Sequence, residues 1–157
     1  MRRKDREVTD PDKIRQIIDA CHCCRLGLCD QGRAYIVPLN FGYSQDEDGG
    51  YTFFFHGAKE GRKIDLMRAD NWAAFEMDTG YRVHEAGEAC GWSAAFCSLL
   101  GGGEVTFLEG LEEKRRALSY IMAHNSGRGD WEFPEAAVRA VCVYQLKVRE
   151  LSCKEHL

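Results

Sequence analysis

A histidine and two cations stand close together in residues 51–68, the part of the chain best suited to chemistry. An apolar, aromatic run ends at His56-Gly57, and after a short loop the pattern predicts a helix that opens near Gly61. Arg62 and Lys63 then lie in its first turn, where the helix dipole disfavours cations because free N–H groups already carry positive charge there. A phosphate group bound at the helix end would explain both cations. The alternative is an ordinary surface helix whose basic residues face water.

His56 is the residue in this segment that could move protons. A histidine with a pKa near neutrality can pass a proton to a substrate at physiological pH. Alternation along the strand predicted over residues 51–56 places His56 on the same face as Thr52 and Phe54, and Gly57 allows an immediate turn beneath it. An isolated strand histidine would be interpreted as structural, but the turn that follows this one favours a position beside a ligand. Four further histidines have no partner at an informative spacing and are interpreted as structural or solvent-facing: His22, His84, His124 and His156.

The bulk composition restricts the class of protein. At 157 residues, with 45% apolar and 29% charged residues, the chain suits a single domain over residues 1–157. A formal net charge of −4 does not indicate the basic surface that a nucleic-acid partner requires. The basic segment at residues 1–6 is not followed by an apolar run, and no stretch reaches transmembrane length. We therefore expect a cytoplasmic protein with no membrane or nucleic-acid partner.

Eight cysteines are many for a chain of this length, and without a secretory segment they are expected to be reduced. Cys21-His22-Cys23-Cys24 contains a C-x-x-C spacing, which zinc sites and redox dithiols both use. Tetrahedral zinc needs two further ligands, and no second pair exists at a comparable spacing. The strand that precedes a thioredoxin-type dithiol is also missing. We predict no metal site, and interpret the cysteines as small buried apolar side chains.

The elements that must position these residues follow from hydrophobic periodicity and turn signals. Asp10-Pro11 is a good helix start, with Asp as the N-cap, and further helices are predicted from near Gly61 and near Glu112. Pro38 lies within a predicted strand, where it cannot donate a ladder hydrogen bond, so an edge strand or a bulge is expected. Residues 101–103 are three glycines, interpreted as a bend or bulge. The predicted strands cover 25–29, 34–43, 51–56, 72–77, 92–100, 104–108 (the last two also possible as one) and 140–148, with a turn at 30–32 and a long excursion at 79–91.

About six or seven strands, mostly joined by short turns and carrying two or three helices, indicate a mainly β fold built on a small antiparallel barrel. Periodicity identifies no ligand for such a barrel. From the residues alone, a thiol or metal protein built on the cysteine cluster also stays open.

Several segments resemble one known family in the same order along the chain. The nitroimidazole-resistance branch of the pyridoxamine 5'-phosphate oxidase-like flavoproteins is similar to this chain from about residue 1 to residue 156. The resemblance implies a split β-barrel of Greek-key type that forms a homodimer and holds a flavin, usually FMN with FAD possible, at the subunit interface. It is carried by Arg25-Leu-Gly, residues 35–43, Phe55-His-Gly-Ala-x-x-Gly-Arg-Lys-Ile-Asp65, Cys97-Ser98 and the late helix over residues 113–124.

The same resemblance implies a role for each site residue. Residues 37–41 would line the flavin ring with their backbone, and His56, Gly57 and Ala58 would flank the ring and ribityl chain. Arg62 and Lys63 would hold the phosphate with Gly61, and Ser98 would approach from the long later strand. His56 matches the histidine that the family places near the reactive face of the flavin. The full expected set is Val37, Pro38, Leu39, Asn40, Phe41, His56, Gly57, Ala58, Gly61, Arg62, Lys63 and Ser98, with His56 as the catalytic residue.

This chain departs from the family pattern around the serine, where it reads Ala95-Phe-Cys-Ser-Leu-Leu100 instead of an aromatic and a β-branched neighbour. The departure concerns the substrate side more than flavin binding. The resemblance implies an FMN-dependent oxidoreductase that reduces a small electron-poor substrate such as a nitroimidazole or nitroaromatic. The alternative is a non-catalytic flavin- or haem-binding module on the same barrel.

Overall fold

The computed structural model describes residues 3–157; Met1 and Arg2, which begin the basic N-terminal segment, lie outside the described residues. Seven strands and four α-helices are present in that part of the chain, with short 3-10 turns at Lys4–Arg6 and Ala89–Gly91. The strands are β1 Cys24–Asp30, β2 Arg33–Leu39, β3 Gly42–Gln45, β4 Tyr51–Gly57, β5 Trp72–His84, β6 Ser93–Leu108 and β7 Cys142–His156. The helices are α1 Pro11–Ala20, α2 Arg62–Ala69, α3 Leu111–Ser126 and α4 Glu135–Ala140.

The seven strands form one antiparallel sheet in the order β2-β1-β5-β6-β7-β4-β3. Its two edge strands, β2 and β3, are separated in sequence by only Asn40 and Phe41. Leu39 and Gly42 are thus at most about 11 Å apart, so the sheet must curl until its edges approach. No ladder joins β2 to β3 within residues 3–157, so the barrel stays split. The predicted mainly β fold, with its barrel and inserted helices, is confirmed, and Pro38 lies on an edge strand as expected.

The two faces of the curled sheet are buried against different helices. The inner face forms the main core with residues from α1 and α2, among them Ile18 and Ile64, both fully buried. On the outer face, Phe54 of β4 and Val143 of β7 pack under α3 and α4. The predicted alternation of β4 is confirmed, because Phe53 and Phe55 belong to the inner core and Phe54 to the outer cluster.

The strand predicted over residues 34–43 is wrong as a single element. It is divided into β2 and β3, which occupy opposite edges of the sheet. The break occurs at Phe41, whose ring is fully buried against Phe53 and His124. Its carbonyl accepts a hydrogen bond from Asn125 Nδ2 of α3 at 2.9 Å. Because α3 occupies this carbonyl, the chain leaves one edge and joins the other at this point.

Two long strands extend further than the periodicity indicated. The excursion predicted at residues 79–91 is wrong for its first part, because β5 continues to His84 past a bulge between Thr79 and Arg82. The last strand likewise runs to His156, and α4 was not predicted. The glycines at 101–103 do mark a bulge, within the single strand β6. A side chain at Gly103 would bring its Cβ to 2.0 Å from the Lys147 carbonyl oxygen of β7, which explains the need for glycine.

Candidate functional site

The start of α2 is an open helix N-terminus, and the predicted helix is confirmed with Arg62 and Lys63 in its first turn. Gly61 precedes the helix with a φ of +124°, a conformation that favours glycine. Its carbonyl oxygen accepts hydrogen bonds from the N–H groups of Ile64 at 2.8 Å and Asp65 at 3.1 Å. Gly61 has no side chain to cap the first turn, so the N–H groups of Arg62 and Lys63 are available to an anion.

The Arg62 guanidinium is held on two sides although its side chain is 61% exposed. Its Nε donates to Asp30 Oδ2 at 2.9 Å, and its Nη2 donates to the same oxygen. The guanidinium carbon also lies 4.5 Å from the centre of the Tyr35 ring. Arg62 is therefore oriented by β1 and β2 while it remains accessible to a ligand.

Lys63 lies against the end of β4. A Cβ built on Gly57 would be 3.0 Å from Lys63 Nζ, so the lysine ammonium packs directly on the Gly57 backbone. Gly57 follows His56, and Ala58 in the next position is exposed. The structure thus brings five of the predicted residues to one place, the end of β4 and the start of α2: His56, Gly57, Gly61, Arg62 and Lys63.

His56 is exposed at the end of β4, on the outer face of the sheet. Partial desolvation of its ring lowers its pKa below the ordinary 6.5, and the positive charge of Lys63 lowers that pKa further. At neutral pH the imidazole is accordingly uncharged. In that state one ring nitrogen donates a hydrogen bond and the other accepts a proton.

The lowered pKa of His56, and its dependence on Lys63, can be measured directly. In an NMR titration of the wild-type chain, the His56 ring protonates with a midpoint below 6.5. Lys63→Met removes the like charge and raises that midpoint, because the charged imidazolium is then less disfavoured. Lys59→Met removes an exposed lysine from the same loop and serves as the control. A midpoint that Lys63→Met leaves in place would contradict the assigned electrostatic coupling.

Residues 37–41 occupy the exposed edge strand and the connection that follows it. Val37 and Leu39 are half-buried, while Pro38 and Asn40 are exposed. Their outer backbone edge pairs with no strand in residues 3–157, because β2 pairs with β1 alone. Phe41 differs, since its ring is in the core and its carbonyl bonds to Asn125. The edge up to Asn40 is therefore free to contact a ligand or a second chain.

Ser98 lies far from His56 within one chain. It occupies the middle of the sheet, opposite Asp78 of β5 and Lys154 of β7. His56 is opposite Val143, which is in turn opposite Leu108. Leu108 is ten residues beyond Ser98 on β6, about 33 Å along a strand. The structure does not bring Ser98 to the His56 end of the same subunit.

Two open cavities lie away from the predicted site. They measure about 410 and 450 Å³ and lie beside α3 and β3, with Tyr120 on the border of both. None of the predicted site residues lines either cavity. The predicted site therefore lies outside both of these cavities.

The C-x-x-C cysteines face the interior of the fold. Cys21 and Cys24 are fully buried in the main core, and Cys23 is half-buried. Burial raises the pKa of Cys21 to about 12 and raises that of Cys24 well above its usual range. Both thiols are protonated at neutral pH and pack as small apolar groups, as predicted.

Sequence reasoning missed Asp30 and Tyr35. The turn signals place Asp30 in the turn after β1, and Tyr35 lies in a predicted strand and in a segment that carries the family resemblance. Both contact Arg62 across more than 25 positions of sequence, so no local spacing indicates the contact. Only the register of the β1–β2 hairpin, which pairs Asp30 with Arg33 and Leu28 with Tyr35, would have placed them at the same end.

Comparison with known proteins gives a family and a set of similar structures. Residues 10–155 match the family model described as pyridoxamine 5'-phosphate oxidase. A candidate 5-nitroimidazole antibiotic resistance protein from Bacteroides thetaiotaomicron is 31% identical, with 95% of this chain and 86% of that chain aligned and a TM-score of 0.81. No curated protein sequence matches.

Two more distant structures share the fold. The flavocytochrome Anf3 from Azotobacter vinelandii is 18% identical, with 100% of this chain and 72% of that chain covered and a TM-score of 0.82. The FAD and heme binding protein from Mycobacterium smegmatis is 15% identical, with 96% and 73% covered and a TM-score of 0.81. Among residues 3–157, no helix is long and apolar enough to cross a membrane.

Proposed function

Because this chain belongs to the pyridoxamine 5'-phosphate oxidase family, we propose that it is an FMN-binding oxidoreductase that reduces a small electron-poor molecule, such as a nitroimidazole or another nitroaromatic. The observation that carries the proposal is the uncapped start of α2, where two cations and free N–H groups converge beside His56. The 31% identical relative named for 5-nitroimidazole resistance supports the substrate class.

The residues at the start of α2 fit a phosphate group. Arg62 has N–H groups that Asp30 does not use, and Lys63 adds a second positive charge against Gly57. Charge-assisted hydrogen bonds to these donors are the strong kind, and the helix dipole adds to them. The exposed backbone edge of Val37, Pro38, Leu39 and Asn40 would contact the ring, with Phe41 anchoring the end of that edge from the core. FAD is compatible with the same phosphate-binding residues.

The chain's own residues would supply orientation and a proton. The flavin, when bound and reduced, supplies a pair of electrons to the acceptor. His56 lies beside the phosphate-binding residues but is separate from them, so its ring is free to contact a substrate. Being uncharged at neutral pH, it would donate an N–H hydrogen bond to a developing negative charge, and below its pKa it would donate a full proton.

A second copy of the chain would complete the site. Ser98 lies about 33 Å along β6 from the His56 end, so in this proposal it serves the site of the partner subunit. The outer sheet face that contains Ser98 also carries exposed apolar side chains, with Ile36 64%, Trp72 41% and Leu100 47% exposed. Gly27 and Ala74 are small residues in the same cross-strand row as Ile36, and Trp72 covers Gly102 at the end of that row. These exposed apolar side chains suit a subunit interface, beside the ion pairs of Arg25 with Glu76 and Asp78 on the same face.

We expect a homodimer, with a mass by light scattering of twice the 17.8 kDa chain. Leu100→Glu places a charge in the proposed interface, and we expect it to give monomers that also lose the flavin. Leu157→Glu, at a more exposed leucine near the C-terminus, is the matched control and should stay dimeric. A wild-type monomer at micromolar concentration that retains flavin would contradict the proposal.

The absorption spectrum of the untreated, purified protein tests the cofactor. We expect the two flavin bands of the blue and near-ultraviolet range, with the flavin released on denaturation identified by chromatography as FMN. A Soret band instead would favour the second candidate, a haem-binding module. That candidate is kept because two relatives of the same fold are named as a flavocytochrome and as an FAD and heme binding protein. A colourless protein that takes up neither group would contradict both.

A further inference from the structure

We propose that Asp30 and Tyr35 are positioning residues that hold Arg62 ready for the flavin phosphate, and so set the preference of the site for a phosphorylated flavin over riboflavin. This inference rests on the proposed function, because it assumes that α2 binds the phosphate. It assigns a role to two residues outside the expected binding set.

The Asp30 carboxylate binds one edge of the guanidinium. Its Oδ2 accepts from both Nε and Nη2 of Arg62. A guanidinium has five N–H groups, so three remain: both on Nη1 and one on Nη2. Asp30 is 23% exposed while Arg62 is 61% exposed. The anchored edge thus faces the protein, and the donors that are left belong to the exposed end.

The Tyr35 ring provides the second restraint. Its centre lies 4.5 Å from the guanidinium carbon, within the range in which a cation is attracted to an aromatic face. Tyr35 is half-buried and packs against the main core, so it is a fixed support for Arg62. A carboxylate at one edge and a ring together restrict both the position and the tilt of the guanidinium.

Such restraint matters because a free surface arginine loses much side-chain entropy when a ligand orders it. An arginine that is already ordered loses less entropy on binding, and this difference affects only ligands that the arginine contacts. Riboflavin lacks the phosphate, so its affinity should not depend on how Arg62 is ordered. The opposite expectation is that the Asp30 carboxylate repels the phosphate and competes for Arg62, in which case its removal would tighten FMN binding.

The test compares the dissociation constants of FMN and riboflavin for the full-length chain freed of flavin, measured by quenching of flavin fluorescence. We expect Asp30→Ala to weaken FMN binding by about tenfold, the size expected when a free arginine must lose its rotamer entropy on binding, and to leave riboflavin binding unchanged. Glu60→Ala removes a carboxylate from the loop before α2 and is the charge-matched control. In an Arg62→Ala background, Asp30→Ala should have no further effect on FMN.

Tyr35 gives an independent pair of variants should Asp30→Ala fail to fold. Tyr35→Phe keeps the ring and should preserve the preference for FMN, whereas Tyr35→Leu should reduce it. FMN binding that Asp30→Ala leaves unchanged or tightens, or an equal loss of FMN and riboflavin, would overturn the inference while the proposed function stands. Wild-type protein that binds neither flavin, or both equally, would overturn the phosphate assignment and this inference with it.

Discussion

Reversing both first-turn cations of α2, Arg62→Glu with Lys63→Glu, should yield a folded protein that purifies colourless and binds FMN about 10²- to 10⁴-fold more weakly. The estimate follows from the loss of two charge-assisted contacts, each worth about 1.5–3 kcal/mol. Repulsion between the new carboxylates and the phosphate adds to the loss. The fold should survive because Arg62 is exposed and its ion pair with Asp30 is a surface pair, which contributes little to stability.

A matched pair of reversals separates local contacts from overall charge. Lys59→Glu with Arg116→Glu changes the net charge of the chain by the same amount, and neither residue forms an ion pair among residues 3–157. We expect this control to retain its colour. Stoichiometric FMN in the Arg62/Lys63 variant, with circular dichroism and melting temperature unchanged, would rule out α2 as the phosphate site.

Replacing His56 by alanine should retain most of the bound FMN and slow the reduction of a nitroaromatic acceptor by about 10²-fold or more. The phosphate contacts lie six and seven positions later, at Arg62 and Lys63, so flavin affinity should depend little on the imidazole. Stopped-flow kinetics measures the step directly, by following reoxidation of the reduced protein by the acceptor. Because the pKa of His56 is lowered, the wild-type rate should rise as the pH falls through that pKa, and the variant should lose this dependence.

Two other outcomes would reassign His56. Flavin loss comparable to that of the Arg62/Lys63 variant would make it part of the cofactor-binding site instead of the substrate side. Unchanged turnover with a flat pH profile in both proteins would make it an ordinary exposed strand histidine. His22→Ala, at an exposed histidine outside the predicted site, should alter neither property.

The local features of this protein could be predicted from the sequence because they depend on neighbouring residues. The Asp10 cap, the alternation of β4 and the first turn of α2 each follow from residue types within a few positions. The break at Phe41 could not be predicted in this way. Residues 34–43 are continuously strand-like, and the interruption comes from Asn125, which binds the Phe41 carbonyl from 84 positions away.

The same distinction between neighbouring and distant contacts applies to the candidate site. His56 lies close enough to Lys63 for the lysine charge to lower the histidine pKa, and Arg62 precedes Lys63 in the first turn of α2. Asp30 and Tyr35, which orient Arg62, are brought to it by the hairpin register and could not be found from spacing. The distance of Ser98 from His56 within one chain could not be predicted either, because it depends on β6 being a single strand of 16 residues.

The bulge where β6 meets β7 has a consequence for how β7 tolerates sequence change. Gly102 is opposite Glu150 and Gly103 is opposite Val148, so Arg149 is the extra residue of the bulge. Before it, the even-numbered residues Tyr144 and Leu146 face the core; after it, the odd-numbered Leu151 and Cys153 do so. Arg149 therefore shifts the side-chain alternation of β7 by one position, as an inserted base shifts a reading frame. At this exposed position a substitution leaves the phase of the strand intact, and a deletion would remove the bulge while the same side chains still face the core. A deletion elsewhere in β7 would instead turn the residues beyond it to the opposite face.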